Sequence, residues 1–268
     1  MRTFCLIGSG NVATHLGVAL TQSDKLKCLG VMSATAKHAE ALAERLRTTG
    51  VVRVEQLPAD ADIYILSVTD NALPGLARQL RSHISPYSVL LHTAGSISVS
   101  ELSPHPHTGV FYPLQTFSRS RVLEMSDVPL FIEASSDRAK EAIDLLVSAL
   151  KSKEVRETSS EERLILHLAA VFACNFTNNM LHSATVLLRK YGLNENLLHP
   201  LIEETIAKAV EMGADQSQTG PAVRADENVL SRHLSMLEEE GMTSLADVYR
   251  SVSKNIQTLS QYIKDSDE

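Results

Sequence analysis

Two glycines at the end of a short apolar run are the residues of this chain best suited to binding a ligand. The run Thr3–Ile7 ends at Gly8, and Gly10 precedes a pattern of helical period. Gly8 permits a tight turn, and Gly10 lets the backbone approach a pyrophosphate at the helix N-terminus. The pattern predicts a dinucleotide site. Its predicted contacts are Gly8, Ser9, Gly10, Asn11 and Val12.

The end of the second predicted strand, Leu26–Met32, indicates which dinucleotide binds. A carboxylate there would accept a hydrogen bond from the 2′-hydroxyl of NAD, but Ser33 holds the position and no acidic residue lies between Lys25 and Ala39. The hydroxyls of Ser33 and Thr35 suit the 2′-phosphate of NADP. The sequence therefore favours NADP(H), with simple capping of the next helix as the alternative role of both hydroxyls.

Small and polar residues follow two further predicted strands. Ser67–Asn71 follows the fourth strand and His92–Ser96 follows the fifth. Because ligands bind at the carboxyl ends of parallel strands, both segments are candidate contacts, although Asp70 and Asn71 fit helix capping equally well. The predicted cofactor contacts are Ser67, Val68, Ala94 and Gly95, and Ser96 is a predicted substrate contact.

Two other segments are predicted to contact the substrate. Gln115 follows a strand that stops at Pro113, so it would line a wall of the site. In the loop that bears Gly220, Thr219 precedes turn residues, and Arg224 offers a cation that can hold a carboxylate. The alternative for this loop is a plain connection between two helices.

A predicted helix over Glu161–Tyr191 carries polar side chains within an apolar background. At 100° per residue, several of them share one sector with Val171. Such a face is either the wall of a cleft or an interface with other helices or a second subunit, and buried amides there need hydrogen-bond partners. The residues of this sector are His167, Cys174, Asn175, Asn178 and His182. Of these, Asn175 and Asn178 are predicted to contact the substrate.

The periodicity of the chain predicts an α/β fold. Apolar runs of strand length alternate with helical stretches up to residue 157, which indicates a Rossmann-like doubly wound parallel sheet. From residue 158 to 268 the pattern is helical throughout, with the last helix over Thr243–Ile263 and a frayed tail over Lys264–Glu268. The predicted domains are therefore 1–157, which binds the dinucleotide, and 158–268, an all-helical substrate and dimerisation domain.

Composition narrows the class of partner. The 268 residues carry a net charge of −7, which argues against nucleic acid and anionic membranes and favours a small-molecule substrate. We expect no membrane-spanning run, no signal peptide and a cytoplasmic location. The three cysteines, Cys5, Cys28 and Cys174, are expected to be core residues, and His105 and His107 lie in a proline-rich loop that we do not interpret as a metal site.

The chain resembles a family of NADP-dependent oxidoreductases in which a Rossmann-like domain precedes a helical domain of unknown function. The resemblance covers essentially the whole chain, and it is more distant to pyrroline-5-carboxylate reductase and to the 6-phosphogluconate and 3-hydroxyacid dehydrogenases. It implies a helical domain that forms the substrate cleft and a homodimer interface. The segments that carry it are Gly8–Ala13, His92–Ser96, Tyr112–Phe117 and Thr219–Asp226.

One departure from these relatives concerns proton transfer. Hydroxyacid dehydrogenases place a catalytic lysine in the first long helix of the second domain, but no lysine lies between Glu161 and Arg189 here. We therefore predict His167 as the acid, with His92 as second choice, because imidazole suits proton transfer near neutral pH. Reduction of an iminium would need no side-chain acid.

The leading hypothesis is an NADP(H)-dependent oxidoreductase that transfers hydride to or from a small carbonyl or imine compound, which we expect to carry a carboxylate. The alternative is a non-catalytic protein that binds NADP as a sensor or serves as a dimeric scaffold. The missing lysine is the feature of the sequence that supports this alternative.

Overall fold

The computed structural model describes residues 1–121 and 123–266. The strands are β1 (Arg2–Ile7), β2 (Leu26–Met32), β3 (Thr49–Val51), β4 (Ile63–Leu66), β5 (Val89–His92), β6 (Thr108–Pro113), β7 (Leu130–Ala134) and β8 (Val155–Glu157). The helices are α1 (Asn11–Thr21), α2 (Ala36–Leu46), α3 (Leu73–His83), α4 (Asp137–Leu150), α5 (Ser160–Ala170), α6 (Thr177–Lys190), α7 (His199–Met212), α8 (Ala214–Ser217), α9 (Glu227–Glu239) and α10 (Thr243–Ser266).

The eight strands form one sheet in the order β3-β2-β1-β4-β5-β6-β7-β8. Neighbouring strands are parallel except for the β6–β7 pair, which is antiparallel. Helices cover both faces, so the central strands are apolar throughout rather than alternating. One face packs on α1 and α4 through residues such as Leu16 and Ile143, and the other packs on α3 through Leu73 and Leu80. The prediction of an α/β fold with a Rossmann-like sheet is confirmed.

The predicted elements lie close to the observed ones, with three differences. The sheet gains β8 at one edge, which the sequence pattern did not indicate because Val155–Glu157 is short and partly exposed. Between the first and last predicted helices of the helical part, α7 begins at His199 with Pro200 in its first turn, and the short stretch Glu195–Leu198 forms a separate 3₁₀ turn before it. The last helix extends to Ser266, and of the predicted tail Asp267 and Glu268 lie outside the described residues.

By internal packing the chain divides into two compact units, Met1–Asn175 and Phe176–Glu268. In the first unit α5 packs with the sheet, because the side chain of Arg163 is buried against β7. The domain boundary predicted after residue 157 stays a prediction. It lies earlier in the chain than the boundary between the compact units, because α5 belongs to the first unit.

A π-helical turn, Val171–Phe176, interrupts the predicted long helix between α5 and α6. A π turn accommodates more residues than an α turn, so residues beyond it no longer have the phase that continuous α-helix would give them. The single sector predicted for His167 and Asn178 is therefore not preserved. Asn175 and Asn178 are also exposed rather than buried.

One compositional expectation stays a prediction and another needs correction. The helical stretch Ser160–Lys190 is, by length and composition alone, apolar enough to cross a membrane, and none of its most apolar window is buried. One such helix is weak evidence for a membrane span, so the expectation of no membrane-spanning run stays a prediction. Cys5 and Cys28 are buried as expected, with burial raising the pKa of Cys5 to about 12 and that of Cys28 to about 11, but Cys174 is exposed.

Candidate functional site

The predicted cofactor residues of the sheet lie in one row along its carboxyl edge. The last paired residues of β2, β1, β4 and β5 are in register, from Met32 across Ile7 and Leu66 to His92. Backbone hydrogen bonds continue one residue further, since the amides of Gly8, Ser33, Ser67 and Thr93 donate to neighbouring carbonyls. The topology thus brings together four loops that lie far apart in sequence.

In the loop between β1 and α1, Gly8 has no room for a side chain, whereas Gly10 does have room. Gly8 has φ +117°, and a Cβ atom there would lie 1.9 Å from the carbonyl oxygen of Ser67, so another side chain would not fit. A Cβ atom on Gly10 would have no neighbour within 4 Å. No side chain caps α1, which leaves its first-turn amides available to an anion. Ala13 is fully buried, as close packing of helix and strand requires.

In the loop after β2, one of the two hydroxyls has the capping role that the sequence left open. The hydroxyl of Thr35 caps α2 by accepting a 3.4 Å hydrogen bond from the amide of His38. Ser33 is buried, and its Oγ lies 2.6 Å from Oγ of Ser9 in the glycine loop. Thr35 and Lys37 are exposed, and no carboxylate stands at the end of β2. These features suit a phosphate at the N-terminus of α2.

The loops after β4 and β5 pack on the glycine loop and on each other. Val68 Cγ1 would lie 3.3 Å from a Cβ atom on Gly8, and Thr93 donates a 3.1 Å hydrogen bond to Oγ of Ser67. The amide of Ala94 donates to Nδ1 of His92 over 3.2 Å. Ser67, Val68 and Ala94 therefore lie beside the glycine loop, where a bound cofactor would contact them.

His92 is fully buried at the end of β5. The pKa of His92 falls to about 3, chiefly because burial penalises the charged ring and also because the Arg163 charge is near, whereas the backbone of Ser98 opposes both effects. Nδ1 already accepts the Ala94 amide. The ring therefore stays neutral across the physiological range and positions the loop that follows it, which disfavours a proton-transfer role.

His167 meets Tyr112 at the carboxyl end of the sheet. The hydroxyl of Tyr112, at the end of β6, lies 3.0 Å from Nδ1 of His167 on α5, and the two rings form an edge-to-face contact. The backbone of Gly95 closes over this pair, since a Cβ atom there would lie 2.6 Å from Nδ1 of His167 and 2.9 Å from Cζ of Tyr112. Two of the predicted residues, His167 and Gly95, are thus neighbours.

The tyrosine keeps its proton in this environment. Burial raises the pKa of Tyr112; the Arg163 charge lowers it and the Asp70 charge raises it. When His167 is neutral, the phenol donates to Nδ1, and the imidazole proton must then lie on Nε2. The pair therefore presents a nitrogen-bound proton on a half-buried ring.

A buried arginine fixes the helix that carries His167. Arg163 lies one turn before His167 and has no exposed surface. It forms a 2.6 Å ion pair with Glu133 of β7 and donates a 2.5 Å hydrogen bond to the carbonyl of Ile97. Oγ of Ser160 also donates to Glu133 over 2.8 Å. Because a buried charge without its partner is costly, this network determines how α5 packs on the sheet.

Ser96 and Gln115 make contacts that the sequence did not indicate. The hydroxyl of Ser96 donates to a carboxylate oxygen of Asp70, so Asp70 joins the loops after β4 and β5 instead of capping α3, whose N-cap is Ala72. Gln115 is exposed, and its Oε1 accepts the amide of Thr116 over 2.8 Å. Ser96 follows Gly95, the residue that packs on the His167–Tyr112 pair, whereas the side chain of Gln115 bonds to the backbone of the next residue.

The remaining predicted substrate residues are exposed and belong to other parts of the chain. Asn175 ends the first unit, while Asn178, Thr219 and Arg224 belong to the second. Within the second unit, Thr219 lines an apolar cavity of about 300 Å³ together with side chains of α6, α9 and α10. Asp226 caps α9, as its position before the helix suggested.

Tyr112, Arg163 and Glu133 are functional candidates that the sequence reasoning missed. The spacing of four residues between Arg163 and His167 was visible, because it places both on one helix face. The partners on β6 and β7 were not visible, because only the tertiary fold brings Tyr112 and Glu133 to that helix. A larger cavity of about 720 Å³ lies beside α1 and α4, and none of the predicted site residues lines it.

Comparison with known proteins agrees with this architecture. A family model described as a Rossmann-like domain matches residues 2–116, and one described as "Domain of unknown function (DUF2520)" matches residues 128–256. A crystal structure of a Bacteroides fragilis protein, BF3122, is 39% identical, covers 96% of this chain and 98% of its own, and superposes with a TM-score of 0.88. The chain belongs to the DUF2520 family. The Bacteroides fragilis member is named, provisionally, as an NADP oxidoreductase.

Two more distant structures share the fold. Pyrroline carboxylate reductase of Plasmodium falciparum, solved with NADP bound, is 13% identical over 97% of this chain and 98% of its own, with a TM-score of 0.55. An NADH-preferring ketol-acid reductoisomerase from an uncultured archaeon is 12% identical over 98% and 94%, with a TM-score of 0.61. At these identities the likeness concerns the fold. None of the curated proteins matches the chain.

Proposed function

We propose that this DUF2520 family member is a cytoplasmic NADP(H)-dependent oxidoreductase that acts on a small carbonyl or imine compound. The observation that carries the proposal is the glycine loop, where Gly8 admits no side chain and Gly10 leaves open space above an uncapped α1. A dinucleotide pyrophosphate needs this combination of close approach and free amides. The name of the Bacteroides fragilis relative supports the same cofactor class.

The residues present fit NADP(H). Ser9, Asn11 and Val12 would hold the pyrophosphate with the two glycines, and Ser33 and Thr35 would hold the 2′-phosphate at the N-terminus of α2. A carboxylate that would repel this phosphate is absent from the end of β2 in the described structure. The nicotinamide end would lie against Ser67, Val68, Ala94 and Gly95.

The bound cofactor would supply the hydride, and His167 would supply the proton. In the doubly protonated ring, Nδ1–H would donate to the Tyr112 oxygen and Nε2 would give its proton to the reacting oxygen or nitrogen, which leaves a neutral imidazole. Arg163 and Glu133 hold α5 so that the imidazole stays beside Gly95. His92, buried and neutral, would contribute only to the position of the loop.

The substrate would be a small molecule that carries a carboxylate. In the first unit we assign Ser96, Gln115 and Asn175 as its contacts, and the assignments of Asn178, Thr219 and Arg224 in the second unit stay predictions from the sequence. An arginine and several amides suit a carboxylate and a carbonyl oxygen. All of these side chains except Ser96 are exposed, so they are available to a ligand.

We also propose that the protein forms a homodimer through its helical part. Large apolar side chains on α5 and α7 are exposed, among them Leu168, Leu201 and Val210, and the exposed fraction of Val210 is 83%. Soluble monomers do not usually leave large contiguous apolar surfaces in water. A second copy of the chain is the occupant that the family resemblance implies.

Calorimetric titration with NADPH, NADP⁺, NADH and NAD⁺ tests the cofactor assignment. The matched variant is Thr35→Asp, because Asp caps a helix as well as Thr and adds only a negative charge at the proposed 2′-phosphate position. Ser33→Asp makes the same test at the buried neighbour. We expect the wild type to bind the phosphorylated forms more tightly, and the variants to lose that preference while they keep NADH.

Absence of binding by all four nucleotides would refute the proposed function and leave a scaffold role. Binding of NADPH with an unchanged preference in both variants would place the 2′-phosphate elsewhere.

A further inference from the structure

Arg119 donates a hydrogen bond into the glycine loop from a distant part of the chain. Its Nη2 lies 2.6 Å from the carbonyl oxygen of Ser9, 110 residues away in sequence. Among the residues that the structure describes, no other cation hydrogen-bonds to the backbone of residues 8–10, and Arg119 has no carboxylate partner there. A guanidinium that has no carboxylate partner among the described residues therefore lies at Ser9, the residue between the two glycines of the loop.

The segment that bears Arg119 is fastened to α1 at two further points. We call residues 115–119 the strap. Asn11 Nδ2 donates to the carbonyl of Phe117 over 2.8 Å, and His15 Nε2 donates to the carbonyl of Ser118 over 3.0 Å. The rings of His15 and Phe117 are also in contact. The strap is therefore held beside the first two turns of α1, at the same end as the glycine loop.

The hydrogen bond that Arg119 donates to the Ser9 carbonyl is weaker than the bonds it would donate to a phosphate. A neutral carbonyl satisfies one guanidinium N–H, whereas a phosphate accepts two parallel charge-assisted hydrogen bonds. The chain as a whole carries a net charge of −7. An arginine without a carboxylate partner nevertheless gives this loop a local positive field, which attracts an anion. Ser9 is itself one of the residues assigned to the pyrophosphate.

We propose that Arg119 is a cofactor-binding residue that clamps the dinucleotide pyrophosphate from the strap, opposite the amides of α1. The inference rests on the proposed NADP(H) site and adds to it a residue outside the glycine motif. It also gives a role to the end of the Tyr112–Phe117 segment, which sequence reasoning placed at the substrate. The strap would position Arg119, and its backbone carbonyls would fix Asn11 and His15.

The experiment compares binding of NADP⁺ and adenosine 2′-monophosphate to four proteins. These are the wild type, Arg119→Ala, Arg119→Lys and the matched control Arg121→Ala, which removes the same charge from an exposed arginine with no recorded bond to the glycine loop. Adenosine 2′-monophosphate carries the 2′-phosphate but no pyrophosphate. Each affinity is measured by calorimetry at two ionic strengths, and thermal unfolding confirms that each variant is folded.

We expect Arg119→Ala to weaken NADP⁺ by about tenfold or more, Arg119→Lys to weaken it less, and both to leave adenosine 2′-monophosphate unchanged. The dependence of NADP⁺ affinity on salt should be less steep in Arg119→Ala, which a purely structural contact would not produce. Arg121→Ala should resemble the wild type.

Equal NADP⁺ affinity in Arg119→Ala and the wild type would overturn the inference while leaving the cofactor site intact. Equal weakening of both ligands, or of NADP⁺ in Arg121→Ala, would overturn it as well, because the effect would then not be specific to the pyrophosphate. Failure of the wild type to bind NADP⁺ would instead refute the proposed function.

Discussion

The two compact units of this chain bury their apolar side chains to very different degrees. In the first unit the sheet is covered on both faces, and of the described residues before α5 the large hydrophobic side chains that stay exposed are Met1, Val52 and Tyr87. In the second unit the buried hydrophobic residues are Ala222, Leu230, Leu237 and Ala246, while many larger ones are exposed. The same chain therefore contains one region with a complete core and one without.

This difference separates two kinds of surface. In the first unit, polar groups at the carboxyl edge of the sheet such as those of Thr93, Tyr112 and Arg163 have hydrogen-bond or ion-pair partners, as a preorganised site requires. On α5 and in the second unit many large apolar side chains are exposed on helices, as an interface requires. We therefore assign cofactor binding and proton transfer to the carboxyl edge of the sheet in the first unit, and association to the exposed apolar surfaces of α5 and α7.

The largest effect is expected at Gly8. Replacement by Ala would force a Cβ atom to within 1.9 Å of the Ser67 carbonyl at a φ of +117°, so the loop or the sheet edge must move. We expect a loss of about 3 kcal/mol or more in unfolding free energy and loss of nucleotide binding. Chemical denaturation and calorimetry measure the two effects.

Gly10→Ala is the matched control for Gly8→Ala. Its φ of −70° and the open space around its Cβ position predict a change in unfolding free energy below about 0.5 kcal/mol. Nucleotide affinity should nevertheless fall, because a methyl group would occupy the space proposed for the pyrophosphate. Unchanged affinity in Gly10→Ala would show that this space does not hold the cofactor.

The next effect concerns the second unit, and it is measured as the molar mass of the protein in solution. Leu201→Glu combined with Val210→Glu places two charges on the exposed apolar surface of α7. We expect light scattering to give a dimer for the wild type and a monomer for this variant, since an unpaired charge at an apolar interface is costly. Val52→Glu, on the exposed surface of the first unit, is the control and should remain dimeric. A monomeric wild type would contradict the proposed assembly.

The last effect, which depends on pH, concerns the buried His92. Its pKa is about 3 in the folded protein and near the ordinary value of 6.5 when unfolded, so the unfolded chain takes up a proton that the folded chain does not. Stability is then complete above about pH 6.5 and falls as the pH decreases toward 3, by at most about 1.4 kcal/mol per pH unit. His92→Gln should reduce the slope of unfolding free energy between pH 6.5 and 5. Parallel slopes in the two proteins would show that His92 is not the neutral buried group described here.

The fold was largely predictable because hydrophobic periodicity and glycine position report local structure. The strand before Gly8, the helix after Gly10 and the order of the following elements are all found in the structure. The π turn at Val171–Phe176 was not predictable, since nothing in the residue types distinguishes it from continuous α-helix. Predictions of which residues share a helix face therefore fail for residues that lie on both sides of this turn.

The site was predictable where it depends on backbone and not where it depends on side chains from distant strands. Gly8, Ser33 and Ser67 lie side by side because parallel strands in register end together. The contact of Tyr112 with His167 and the buried pair of Arg163 with Glu133 join segments separated by 30 residues or more in sequence, and only the tertiary structure shows them.

The central claim is that the first unit combines an NADP(H) site with a proton donor at His167. NADPH oxidation by the wild type and by His167→Gln, with a panel of 2-oxo acids and cyclic imines, tests this claim most directly. We predict turnover of at least one 2-oxo acid by the wild type and a decrease of about 100-fold in the variant, with NADPH affinity unchanged. Equal turnover by both proteins, or NADPH binding without turnover of any compound in the panel, would contradict the claim.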